Sequence, residues 1–253
     1  IYFLQRRAED ALNLWKQAVR RAEGPAALPL LENYADILLR QHRIAEHVEV
    51  QAQIIERETD VKRRREILRR CIDRLTFSDA SGGELAPTVA RDRLKLLERA
   101  LLTRVQRHPF DGFYHEALAQ VFERGGEHAK AFASMKQAYY TAPDTPFSLD
   151  QLRDAALKVS DVKAAIYFQK QIAATAPPKE IAAESRRLVE LLEQTFQITE
   201  ADRVRRRLES RFSQDVTALA ELAKYYQTTG QDEADRRVYE HMARVQAWDG
   251  RAR

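Results

Sequence analysis

Cysteine is almost absent from this chain. Cys71 stands alone among 253 residues, which excludes an internal disulfide and any multi-cysteine metal site. It lies in the run Glu66–Ile72, where a small buried thiol is expected. Glycine and proline are scarce, eight of each, so there are few places to break a helix. No stretch approaches the ~18 consecutive apolar residues that a membrane-crossing helix needs. The marks of catalysis are also missing. Gly82-Gly83 is followed by Glu84 and not by a Lys-Ser/Thr pair, and no Gly-x-Ser-x-Gly elbow occurs. Of the six histidines (His42, His47, His108, His115, His128 and His241), His42 and His47 are five apart, a spacing that does not stack on one helical face. His115-Glu116-Ala117-Leu118-Ala119 opens like a zinc-protease helix but lacks the second histidine. The expectation is no enzyme, no cofactor and no metal.

What remains is the composition of a packed helical protein. Hydrophobic residues make up 44% and charged residues 32%, a mix that fits neither a membrane bundle nor a disordered tail. The formal net charge of +4 is mild, so most charges are expected on solvated faces with i,i+4 ion pairs. The chain opens at Ile1 in what already reads as helix, so a piece of a longer polypeptide is expected. The default compartment is cytoplasmic.

A repeat is written into the chain. Pro109, Pro143 and Pro177 are 34 residues apart. Between the first two, Leu118, Ala119, Phe122, Gly126, Ala131, Met135, Ala138 and Pro143 fall at positions 7, 8, 11, 15, 20, 24, 27 and 32 of a 34-residue unit. Leu118 and Phe122 share one face of a first helix, Gly125-Gly126 permits a tight turn, and Ala131 lets a second helix approach closely. This pattern resembles the tetratricopeptide repeat (TPR) family. The resemblance implies an all-α fold, a right-handed superhelical solenoid of antiparallel helix hairpins, about six in number.

The match is looser elsewhere. Leu149, Leu152, Ala156, Ala165 and Phe168 continue it to Pro177, and two residues of slippage follow at Pro177-Pro178-Lys179. Leu188, Leu192, Ala201 and Leu208 form a third unit. Leu219, Leu222, Ala223, Tyr226, Gly230, Ala234, Tyr239 and Met242 form the last. Upstream, Ala11, Trp15 and Ala18 read as a second helix whose first is missing. Residues 28–57 read as a hairpin anchored by Leu31, Tyr34, Leu38 and Ile54, with a poor match in its second helix. Residues 59–75 and 88–107 read as two helices joined by a loop too long for a family turn. The expected layout is degenerate hairpins over 1–58, an irregular pair over 59–109, TPR-like repeats over 110–248 and a tail at 249–253.

Function in such folds resides in the side chains of the first helices, which line the concave side. The resemblance places Phe113, Glu116, Gln120, Glu123 and Arg124 there, followed by Phe147, Asp150, Asp154, Leu157 and Lys158. Ala183, Arg186, Glu190, Glu193 and Gln194 come next, then Thr217, Ala220, Lys224, Gln227 and Thr228. Acids outnumber bases, and Phe113 and Phe147 recur one period apart, which suits a basic-apolar peptide or helix of a partner protein. The competing reading makes both phenylalanines core residues at the hairpin entry. The Lys/Asn/Arg carboxylate clamp of chaperone-binding family members is missing from these positions. A different class of function is nucleic-acid binding through two arginine clusters. One is Lys62, Arg63, Arg64, Arg65, Arg69, Arg70 and Arg74, with an apolar stripe at Val61, Leu68, Ile72 and Leu75. The other is Arg203, Arg205, Arg206, Arg207 and Arg211. Acids alternate with both clusters and no aromatics interleave as a stacking platform would require. A third reading is self-association through uncovered repeat ends.

Overall fold

The computed structural model describes residues 8–21, 27–77, 85–142, 146–177, 180–213, 216–228 and 230–251. The chain divides into two compact units, Ile1–Phe147 and Ser148–Arg253. Thirteen helices and no sheet occur among the described residues. In the first unit, α1 (Ala8–Arg21) precedes three hairpins. These are α2 (Ala27–Arg40) with α3 (Ile44–Arg57), α4 (Val61–Thr76) with α5 (Pro87–Arg107), and α6 (Gly112–Arg124) with α7 (His128–Thr141). The second unit pairs α8 (Leu149–Lys158) with α9 (Val162–Thr175), α10 (Ile181–Gln194) with α11 (Ile198–Arg211), and α12 (Val216–Thr228) with α13 (Asp232–Arg251).

One turn geometry closes five of the six hairpins. The N–H groups of Arg43, Glu127, Asp161, Gln197 and Gln231 donate to the carbonyls of Leu38, Phe122, Ala156, Leu192 and Tyr226, each five residues earlier. The residue before each donor, His42, Gly126, Ser160, Phe196 or Gly230, is left-handed, with φ between 56° and 76°. This is a Schellman end, which satisfies carbonyls that the helix would otherwise orphan. The glycines signalled two of these turns in the sequence; the other three use residues that take the left-handed region at a cost.

The hairpins stack on one another within each unit. In the first, α3 packs on α5 and α4 on α6, with α4 and α5 in mutual contact. The pair at 61–107 therefore takes its place between its neighbours in the manner of a repeat. Its long connection is closed at the base, where the Leu85 N–H donates to the Thr76 carbonyl at 2.9 Å. One apolar core runs from Leu12 through Leu31, Leu38, Ile55, Leu68, Leu75, Leu97 and Leu101 to Phe122 and Ala131. In the second unit Leu152, Ala156, Ala165, Phe168, Leu192 and Ala201 are fully buried, and Ile181 and Leu208 join Leu219, Leu222, Tyr226 and Val238 in one cluster.

The small position facing the turn is Ala131, Ala165 and Ala201 in three hairpins, all buried. In the α2/α3 hairpin, the same offset from the turn falls on His47. That ring is fully buried, with Nδ1 2.8 Å from the Ala35 carbonyl oxygen. This explains the poor match of the second helix there: a histidine with a backbone hydrogen bond stands where the family has a methyl group.

Several expectations change. Ala18 is exposed and Val19 turns inward, because the buried face of α1 runs through Ala11, Leu12 and Val19. Val61, at the first position of α4, is exposed although Leu68, Ile72 and Leu75 are buried. Tyr239 is exposed; Val238 takes the buried place expected for Tyr239, whose hydroxyl accepts from Gln227 Nε2 at 3.1 Å. Helix α13, with Asp232, Glu233 and Asp235 in its first turn to suit the helix dipole, runs to Arg251 and enters the expected tail. The expectations for Pro143, for Pro178-Lys179 and for the loop at 78–84 lie outside the described residues.

Candidate functional site

The two sets of groove residues meet different surroundings. In the first unit, the α4 arginines cover the start of α6. Arg65 donates to Glu116 through Nε (2.9 Å to Oε1) and Nη2 (2.9 Å to Oε2). This is a two-pronged guanidinium–carboxylate pair of the strong kind. Glu116 is 2% exposed, a buried carboxylate that a sequence pattern alone would place in solvent. Arg64 lies 4.0 Å above the Phe113 ring and donates to Asp111 Oδ2 at 3.0 Å. Asp111 in turn caps α6 by accepting from the Phe113 N–H. Phe113 is buried, so of its two readings the packing one describes its surroundings. Gln120 is half-buried and donates to Glu116. Glu123 and Arg124 are exposed; Glu123 pairs with His128, and Arg124 donates to Thr76 Oγ1 beside the Phe77 ring. Phe147 is half-buried.

The α4 arginines also reach α2. Arg74 bonds Asp36 at 2.5 Å and Arg63 bonds Glu32 at 3.4 Å. Helices α2, α4 and α6 are thus laced by charge, with acids on the outer two and arginines in the middle. Counting Arg70 with Glu66, five of the seven basic residues at 62–74 sit in ion pairs within the chain. Lys62 and Arg69 are exposed and outside these pairs. The run that read as a phosphate-binding cluster spends most of its charge on its own neighbours.

In the second unit the positions taken from the family pattern lie at the surface. Asp150, Asp154, Leu157 and Lys158 on α8, Glu190 and Gln194 on α10, and Ala220, Lys224, Gln227 and Thr228 on α12 are exposed. Ala183, Arg186 and Glu193 are half-buried. Arg153, which the pattern did not single out, organises the α8 acids: it bonds Asp150 and Asp154, both at 2.8 Å, and donates to Gln169 Oε1 at 3.0 Å. Gln169 is fully buried and its Nε2 reaches Glu184 on α10. Arg186 lies 5.8 Å from the Tyr225 ring on α12. The side chain of Thr217 lies outside the described ones. Of the second arginine cluster, Arg205 is buried between Glu193 and Asp202, whereas Arg203, Arg206, Arg207 and Arg211 are exposed.

Chemically, this arrangement offers surface and charge. No group of three or more His, Cys, Asp or Glu residues could hold a metal ion among the described residues, and none of the described helices is long and apolar enough to cross a membrane. Burial pushes the Cys71 thiol up to about 12, far from the range of a reactive thiolate.

No protein-family model and no curated protein matches the chain. Solved structures do. A crystal structure of a Podospora anserina putative kinesin light chain with nearly identical TPR-like repeats matches at 16% identity, covering 90% of this chain and 99% of that one, with a TM-score of 0.34. Its Q17M variant matches at 16% identity and a TM-score of 0.32, covering 91% and 100%. The hairpins, their shared turn and their small buried residues carry the fold assignment by themselves: the chain is all-α, built of TPR-like antiparallel helix hairpins.

Proposed function

We propose that this protein is a non-catalytic adaptor that holds an extended peptide or a helix of a partner protein along the exposed face of its first helices. The observation that carries the reading is the second unit, where Asp154, Leu157 and Lys158 on α8, Glu190 on α10 and Lys224 on α12 are all exposed at the positions used for binding in such repeats. Both signs of charge are present with an apolar patch at Leu157, 40% exposed. That combination suits a partner segment with mixed charge and one or two apolar anchors. In the first unit, taken by itself, Glu123 and Arg124 on α6 are also exposed. Phe113 and Glu116, also in the first unit, are buried and support the fold there.

The test follows from exposure. An L157A/E190A/K224A variant removes three exposed side chains, and unchanged circular dichroism would show an intact fold. A protein retained from nuclease-treated native extract by the parent and lost by this variant supports the reading. Equal retention by both, or retention that vanishes on nuclease treatment, overturns it.

A further inference from the structure

Helix α11 presents more positive charge than its ion pairs with described residues take up. Its three carboxylates are all engaged. Glu200 accepts from Lys170 at 2.6 Å, Asp202 bonds Arg205 at 2.5 Å, and Glu209 accepts from the Tyr226 hydroxyl at 3.1 Å. Arg205 is buried in its own pairs. Arg203, Arg206, Arg207 and Arg211 are all exposed and form no ion pair with a described residue, although Arg203 and Arg207 lie near enough to Glu200 to help Lys170 hold its carboxyl below the usual range. Arg203, Arg207 and Arg211 are four residues apart, so they form one stripe with steps of about 6 Å along the helix. Arg206 flanks the stripe and lines two adjoining depressions between α11 and α13, about 530 and 570 Å³ in volume.

We propose that this stripe is a docking surface for an acidic α-helix of a partner protein, one that presents Glu or Asp every three to four residues. Carboxylates at i and i+4 of such a helix recur at the same ~6 Å as the guanidiniums, so several pairs form in one register. The chain already uses this chemistry. On α4, Arg63, Arg64, Arg65 and Arg74 take their carboxylates from the helices on either side or from their caps. On α11, no described carboxylate forms an ion pair with Arg203, Arg206, Arg207 or Arg211. A protein helix is favoured over nucleic acid because residues 203–211 contain no aromatic side chain on which a base could stack. This surface lies on a second helix of its hairpin and is independent of the first-helix face discussed above.

Fluorescence anisotropy on the full chain tests it with three probes. One is a helical peptide with glutamates at i,i+4, the second is a peptide of the same composition held non-helical by a central proline, and the third is a single-stranded RNA of equal charge. The full chain should bind the helical peptide about tenfold more tightly than the non-helical one. The R203E/R207E/R211E variant should lose that binding at an unchanged melting temperature; if it fails to fold, R207Q/R211Q serves, with a partial loss expected. Affinity unchanged in the folded variant, equal binding of both peptides, or tighter binding of the RNA would each overturn the proposal.

Discussion

At Phe196 the chain places an aromatic side chain, 89% exposed, on a backbone with φ of 58°. The left-handed region costs a residue with a Cβ about 1–2 kcal/mol. At the corresponding turns Gly126 and Gly230 avoid that cost. Phe196→Gly should therefore stabilise the protein by about 1 kcal/mol, and Gly126→Val should destabilise it by about 1–2 kcal/mol. At Gly126 the space for a Cβ is open, so the effect there is one of backbone conformation and not of collision. Chemical denaturation of both variants checks the pair, and two shifts of the same sign would contradict the turn assignment. A second residue-scale prediction concerns Cys71, which is 1% exposed. Native protein at pH 8 should not react with a thiol reagent, whereas denatured protein should label fully. The folded pKa, raised by burial to about 12, lies above the ordinary 9.0. The stability linked to the neutral thiol is therefore present below pH 9 and lost as pH rises toward 12.

Between elements, the Arg65–Glu116 pair binds α4 to α6 in a partly dry seam. Arg65→Ala leaves a buried carboxylate with Gln120 as its hydrogen-bonding neighbour among the described residues, and should cost about 3–5 kcal/mol. Replacing both partners by apolar residues, R65M/E116L, should recover most of that loss, since neither desolvated charge remains. Urea denaturation of the two variants checks this; a double variant no more stable than Arg65→Ala would show that the pair contributes more than its mutual neutralisation. The charges on α4 thus do structural work between helices. They were visible in the sequence as an arginine run, but their acceptors, Glu32, Asp36, Asp111 and Glu116, are 31 to 51 residues away along the chain.

For the whole molecule, repeats that contact mainly their sequence neighbours make stability a local property. Ala131, 1% exposed, belongs to the apolar core on α7, which packs on α6. Ala131→Leu should overpack α6 against α7 by about 1–3 kcal/mol. Hydrogen exchange should report faster opening in α6 and α7 and unchanged protection in α12 and α13. Uniform loss of protection over all the described helices would instead indicate a single cooperative unit.

How much the sequence settled depends on the range of the interaction. The helices, the 34-residue spacing, the glycine turns and the small facing alanines follow from local rules: helix propensity, one-face periodicity and the freedom of glycine at positive φ. All of these were legible, and so was the buried Cys71. The tertiary structure decided which charges are neutralised. Glu116 and Asp154 look alike in the repeat pattern, yet one is buried against Arg65 while the other is exposed at Arg153. Likewise Arg65 and Arg207 both sit in arginine runs, and among the described residues only the first forms an ion pair with a carboxylate. Local sequence sets the helix and the face a side chain occupies. Whether an opposite charge stands within 3 Å depends on a helix brought there by packing, through apolar contacts that carry no record of the charges beside them.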